Sequence, residues 1–211
     1  MRVNFVSQNP DTIQKIIQNA KNIAPISFCD IVKATTGRSI IPLNFESNED
    51  QSLIKILTDS AKDFILSWDR RKQRFRGDRI NEVGRAIEDA FVQELRKTTL
   101  KPEFLGKSGY PDIKIIDEKG RVTYLESKAI SKGWDSGFRS FYYTDGKKIT
   151  YDARHLLIAW NVTEERDKYW RVLGFKLCEI SNLNTEIKIE FNSSNKELYK
   201  DNLIIGRFDL S

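Results

Sequence analysis

Asp112, Glu126 and Lys128 are the side chains of this sequence whose types and spacing could do chemistry together. Asp112 closes a Tyr110-Pro111-Asp112 run, and Glu126-Ser127-Lys128 follows a short way downstream. Between them lie Ile113-Lys114-Ile115-Ile116, a turn-forming Asp117-Glu118-Lys119-Gly120, and Arg121-Val122-Thr123-Tyr124-Leu125. That pattern predicts two strands joined by a tight hairpin. Folding it back brings Asp112 opposite Leu125 or Glu126, and an odd number of loop residues puts Asp112 on the same face as Glu126. Side chains alternate along a strand, so Glu126 and Lys128 share a face while Ser127 points the other way. Two carboxylates and an ammonium converging on one spot can hold a divalent cation through hard oxygen ligands and position a water. The bland alternative is a surface hairpin with an ordinary Glu–Lys pair on one face.

The elements that must position these groups are legible on either side. Upstream, Gly77-Asp78 opens a helix over about 79–97, with Ile80, Val83, Gly84, Ile87, Phe91 and Leu95 as its apolar stripe. Glu88 borders that stripe and can reach towards the sheet, Glu82 projects into solvent, and Glu94 borders the stripe on its other side. Earlier still, Asn9-Pro10 starts one helix, 27–36 suits a second ending before Gly37, and Asn48-Glu49-Asp50 caps a long third one running towards Trp68. Downstream, the nearly continuous apolar run 156–162 predicts a central strand buried on both faces, followed by a strand over about 169–177. Segments 187–191 and 203–208 read as later, peripheral strands. The fold expected is α/β: a helical N-terminal part, then a mixed β-sheet core flanked by helices.

The chain has 211 residues, 39% of them hydrophobic and 31% charged, which suits one soluble globular domain. We expect a single domain over 1–211, with 1–75 a mainly helical subregion and 78–211 the core that carries the chemistry. No run is long enough to cross a membrane, and the N-terminus lacks a signal-peptide pattern, so the expected location is the cytoplasm. Cys29 and Cys178 lack metal-ligand spacing and read as reduced core thiols. One histidine and two scattered cysteines exclude a standard zinc site. His155, at the entrance of the apolar strand, reads as a structural, hydrogen-bonded residue.

A net charge of +5 is a modest basic excess, and its distribution is more telling. Arg70, Arg71, Lys72, Arg74, Arg76 and Arg79 crowd together and can neutralise phosphates, although a solvated helix end would look the same. The stretch after the motif interleaves Trp134, Phe138, Arg139, Phe141, Tyr142 and Tyr143, a pattern that suits a nucleic-acid-facing loop or packing beneath the sheet.

Tyr110-Pro111-Asp112 with Glu126-Ser127-Lys128 resembles the signature of the PD-(D/E)XK nuclease superfamily, and within it a type II restriction endonuclease. The resemblance covers roughly twenty residues, or about fifty with the upstream helix, and a short acidic pattern of this kind is moderately specific. It implies a restriction-endonuclease-like core and Mg²⁺-dependent, sequence-specific cleavage of double-stranded DNA, often by a homodimer. It also implies a cognate DNA methyltransferase as a functional counterpart rather than a bound partner. Asp112 and Glu126 would hold Mg²⁺, with the carbonyl of Ser127 or Ala129 as a further ligand. Lys128 would orient the attacking water or stabilise developing charge. Glu88 matches the glutamate that assists the two principal carboxylates in many such enzymes, with Glu94 the weaker alternative. Arg70, Arg71, Arg74, Arg76, Arg79, Lys132, Arg139, Lys147 and Lys148 are the expected DNA contacts. A repair or junction-processing nuclease of the same superfamily, or a DNA-binding module that does not cut, are the competing readings.

Overall fold

Runs of apolar residues at helical spacing and alternating strand segments build the body of the protein. The structure, a computed structural model, describes residues 25–106, 109–134 and 146–186, together with positions 11, 14, 15, 18 and 19. The chain divides into two compact units, Met1–Ile26 with Thr185–Ser211, and Ser27–Asn184. In the first, the described positions between 11 and 19 are helical and exposed, and the Thr185 hydroxyl donates to the Ile26 carbonyl at 3.0 Å. The expected strands at 187–191 and 203–208 lie outside the described residues.

The second unit holds helices α1 (Phe28–Thr36), α2 (Asn48–Arg70) and α3 (Ile80–Leu95). Its strands are β1 (Phe75–Arg76), β2 (Lys101–Phe104), β3 (Ile113–Ile116), β4 (Val122–Ile130), β5 (Arg154–Arg166) and β6 (Tyr169–Glu179). They form one six-stranded sheet in the order β1-β6-β5-β4-β3-β2. Only the β4–β5 pair within it is parallel, so the sheet is mixed, as expected. The edge strand β2 was not anticipated. Its Pro102 argues against a strand in sequence, but proline is accepted at a sheet edge, and β2 is such an edge.

Each face of the sheet has its own apolar cluster. On one face, Val83, Ile87, Phe91, Val92 and Leu95 of α3 and Leu53, Leu57, Ala61 and Phe64 of α2 pack on Leu125, Ile158 and Trp160. Trp160 is fully buried, in edge-on contact with Phe91 (4.9 Å between ring centres) and Phe64 (5.4 Å). Gly84 lets α3 lie close on β4, where a methyl group at that position would just touch Cβ of Ala129 at 3.5 Å. On the other face, Phe28 and Val32 of α1 join Tyr110, Val122, Tyr124 and Ala153. On β4 this second cluster holds Val122 and Tyr124, and on β5 Leu157 packs half-buried against it. The apolar run of β5 is therefore not buried on both faces. Leu156, Ile158, Trp160 and Val162 are buried, while Leu157, Ala159 and Asn161 alternate with them half-buried, on the face that also carries Glu126 and Lys128.

A buried carboxylate ties the hairpin to this scaffold. Asp50, fully buried in the first turn of α2, accepts from the guanidiniums of Arg121 (3.0 Å) and Arg154 (2.7 Å) and from the Asn44 N–H (2.9 Å). Arg121 also binds Asp117 at 2.6 Å, and it thereby clamps the hairpin turn. Removing one member of a buried ionic network strands the others without partners, which typically costs about 3–5 kcal/mol. We expect Asp50→Ala to lose on that order of stability in chemical denaturation; a loss below about 1 kcal/mol would show that the network does not anchor the hairpin.

Candidate active site

The hairpin forms in the register that its turn dictates. The 117–121 loop closes with Gly120 N–H on the Asp117 carbonyl (2.9 Å), and Gly120 adopts φ +75°, a conformation that glycine takes without steric cost. Ile116 then pairs with Val122 and Ile113 with Leu125, so Asp112 falls level with Glu126. Asp112 is fastened on two sides: its carbonyl accepts from Leu105 N–H and its Oδ2 from Ser127 N–H, both at 2.9 Å. Ser127 points to the opposite face, as strand alternation requires, where its Oγ accepts from the indole N–H of Trp160 at 3.1 Å. The core tryptophan thus fixes the residue between Glu126 and Lys128.

Glu126 is only 2% exposed, and its Oε1 meets the Lys128 ammonium at 2.5 Å. Its Oε2 is buried and has no hydrogen-bond partner among the described residues. A buried carboxylate oxygen left unpaired is costly, and a cation bound there would resolve it. Burial, then the neighbouring Asp112 carboxylate, pushes the Glu126 pKa up to about 7, against the opposing pull of Lys128. Glu88, half-buried on α3, lies within electrostatic range of both carboxylates. Burial foremost, followed by Asp112 and Glu126, raises it to about 8. Among the described residues, no three His, Cys, Asp or Glu side chains form a ready-made ligand triad. The donor set is a carboxylate pair with a third acid nearby. That suits Mg²⁺, which is held by one or two carboxylates and takes its other ligands from water and substrate phosphate. Glu94, the weaker alternative, pairs with Lys97 at 2.6 Å, and Glu82 accepts from Asp78 N–H on the exposed side of α3.

These shifts carry a testable pH dependence. Glu126 and Glu88 keep protons in the folded, cation-free protein that the unfolded chain releases near the ordinary value of 4.5. Their contribution to stability is therefore lost as pH rises from about 4.5 through about 8, and a bound divalent cation opposes the loss by displacing the protons. We expect the melting temperature without metal to fall with pH across that window, to recover on adding Ca²⁺ at the alkaline end, and to fall less in Glu88→Gln. An identical slope in that variant would remove Glu88 from the cluster.

The remaining expected contacts divide. Arg70, Arg71, Arg76 and Arg79 are exposed around the end of α2 and strand β1, and Lys132 and Lys147 are exposed as well. Arg74 is committed to Glu165 at 2.6 Å, with Asp69 at 3.8 Å, and so does not present a free charge. Lys148 donates to the main-chain carbonyls of Gly109 and Pro111. Arg139 lies outside the described residues. His155 is buried, accepts or donates at the Tyr110 hydroxyl (2.6 Å), and burial lowers its pKa to about 4, which makes it a neutral structural residue near neutrality. Lys176 joins Lys128 on the same face of the sheet. The register Lys128–Ala159–Lys176 across β4, β5 and β6 puts both lysines on one face, and the Lys176 ammonium sits 4.6 Å from the centre of the Trp134 ring. Strand alternation alone could not align the two, because the pairing that relates them runs through a third strand.

Comparison with known proteins identifies the family. The model of the Type II restriction enzyme MjaV family matches residues 21–202. The chain is 34% identical to the Type II restriction enzyme MjaV of Methanocaldococcus jannaschii over 223 aligned positions, covering 95% of this chain and 96% of that one. No solved structure matches. A match of this length spans α1 to β6 and every residue of the carboxylate cluster, and the chain belongs to the Type II restriction enzyme MjaV family.

Proposed function

We propose that this restriction enzyme hydrolyses phosphodiester bonds of double-stranded DNA at a specific sequence, using a Mg²⁺ ion held by Asp112 and Glu126. The observation that carries the reading is the buried Oε2 of Glu126, without a hydrogen-bond donor among the described residues, on a carboxylate that stands level with Asp112. When bound there, the cation supplies Lewis acidity to the phosphate and lowers the pKa of a coordinated water. Lys128, paired with Glu126 at 2.5 Å, would orient the attacking water and stabilise charge building on the phosphate oxygens. Glu88, whose pKa burial raises to about 8, would add a third carboxylate when it ionises.

The exposed arginines around Arg70, Arg76 and Arg79, with Lys132, Lys147 and Lys176, would bind the DNA backbone, so affinity should weaken steeply with salt. A homodimer acting in the cytoplasm on a two-fold symmetric site would cut both strands with equivalent subunits. The family match weighs against a repair nuclease, and the intact Asp112, Glu126 and Lys128 weigh against a module that binds without cutting. Digestion of plasmid DNA in Mg²⁺, with sequencing of the ends, tests the reading. It predicts discrete fragments ending at one short sequence; ends scattered without a common sequence, or uncut DNA, would overturn it.

A further inference from the structure

We propose that Lys148 is a positioning residue for the Asp112 carboxylate rather than a DNA contact; this rests on the reading of Asp112 as a metal ligand given above. Residues 109–111 lead into strand β3 and lie outside the described strands. Pro111 has no N–H with which to extend the ladder, which leaves a gap ahead of the strand. The Lys148 ammonium fills that gap, donating to the Pro111 carbonyl at 3.0 Å and also to the Gly109 carbonyl. It does so from the turn 146–149, which is closed by Ile149 N–H on the Gly146 carbonyl at 2.8 Å and anchored by the buried side chain of Ile149.

The Pro111 carbonyl belongs to the peptide unit joined directly to Asp112. Beyond it, Asp112 is pinned by Leu105 and Ser127 N–H, and Tyr110 by His155. Lys148 is the one cation in this set of restraints, and it spans two successive bends of the chain immediately before the carboxylate. Without it, two half-buried carbonyls lose a charged donor, and the segment that aims Asp112 loosens. Partners of this outer kind typically contribute 10- to 100-fold to metal affinity or activity.

The two roles of Lys148 make opposite predictions. Ca²⁺ binding to the DNA-free protein, measured by calorimetry, should weaken about 10-fold or more in Lys148→Met, and single-turnover cleavage in Mg²⁺ should slow by a similar factor. The affinity of Lys148→Met for a duplex without metal, and the salt dependence of that affinity, should match wild type. Lys148→Arg, which keeps a multiple donor at the same place, should recover most of both losses. Ca²⁺ affinity unchanged in Lys148→Met, with the salt slope of DNA binding reduced by about one, would overturn the proposal in favour of a phosphate contact. Wild-type protein that neither binds Ca²⁺ nor cuts DNA would instead sink the underlying reading of the site.

Discussion

Asp112→Ala and Glu126→Ala each lower the single-turnover cleavage rate by at least about a thousandfold, while DNA binding measured in Ca²⁺ persists. The size follows from losing metal-borne charge stabilisation of several kcal/mol, at about 1.4 kcal/mol for each tenfold in rate. The two variants should differ in the metal-free protein. Glu126 is almost fully buried and raises its own pKa by that burial, so its removal also relieves a desolvated acid. Glu126→Gln should therefore melt no lower than wild type near pH 8 without metal, despite being inactive. Asp112→Ala takes away the acceptor of Ser127 N–H and should melt lower. Either variant cleaving at the wild-type rate would refute the assignment of the site.

Lys128→Ala lowers the cleavage rate by about a hundred- to a thousandfold, the range seen when one preorganised donor to developing charge is removed. Its effect on metal binding should be smaller than its effect on rate. The ammonium competes with a cation for Glu126 through the 2.5 Å contact, yet it also holds the Glu126 pKa down. These influences on affinity oppose one another, whereas both proposed roles in catalysis are lost together. Parallel Ca²⁺ titrations and single-turnover rates check this; a normal rate in Lys128→Ala would exclude the residue from the chemistry.

Local order in the sequence carried the hairpin. Alternation along β4 and an odd-numbered loop sufficed to put Asp112, Glu126 and Lys128 on one face, because both rules act between near neighbours. The helical period of α3 likewise located Glu88 at the border of its stripe. What escaped were relations set by distant partners. Arg74 pairs with Glu165 of β5, and Lys148 donates to the carbonyls of Gly109 and Pro111, contacts between residues far apart in the chain. The run 156–162 reads as buried on both faces because leucine and alanine appear on each. The sheet nonetheless turns one of those faces towards the polar site, leaving Leu157 and Ala159 half-buried. Strand β2 was hidden by Pro102, which only an edge position accommodates.

A cation seated between two carboxylates of one hairpin is what the proposed chemistry requires. Crystals of the protein soaked in Mn²⁺ and measured at the manganese absorption edge test it most directly. The predicted result is an anomalous peak bonded to Glu126 Oε2 and the Asp112 carboxylate, absent in Glu126→Ala; a fully loaded protein with no peak there, or an unchanged peak in that variant, would contradict it.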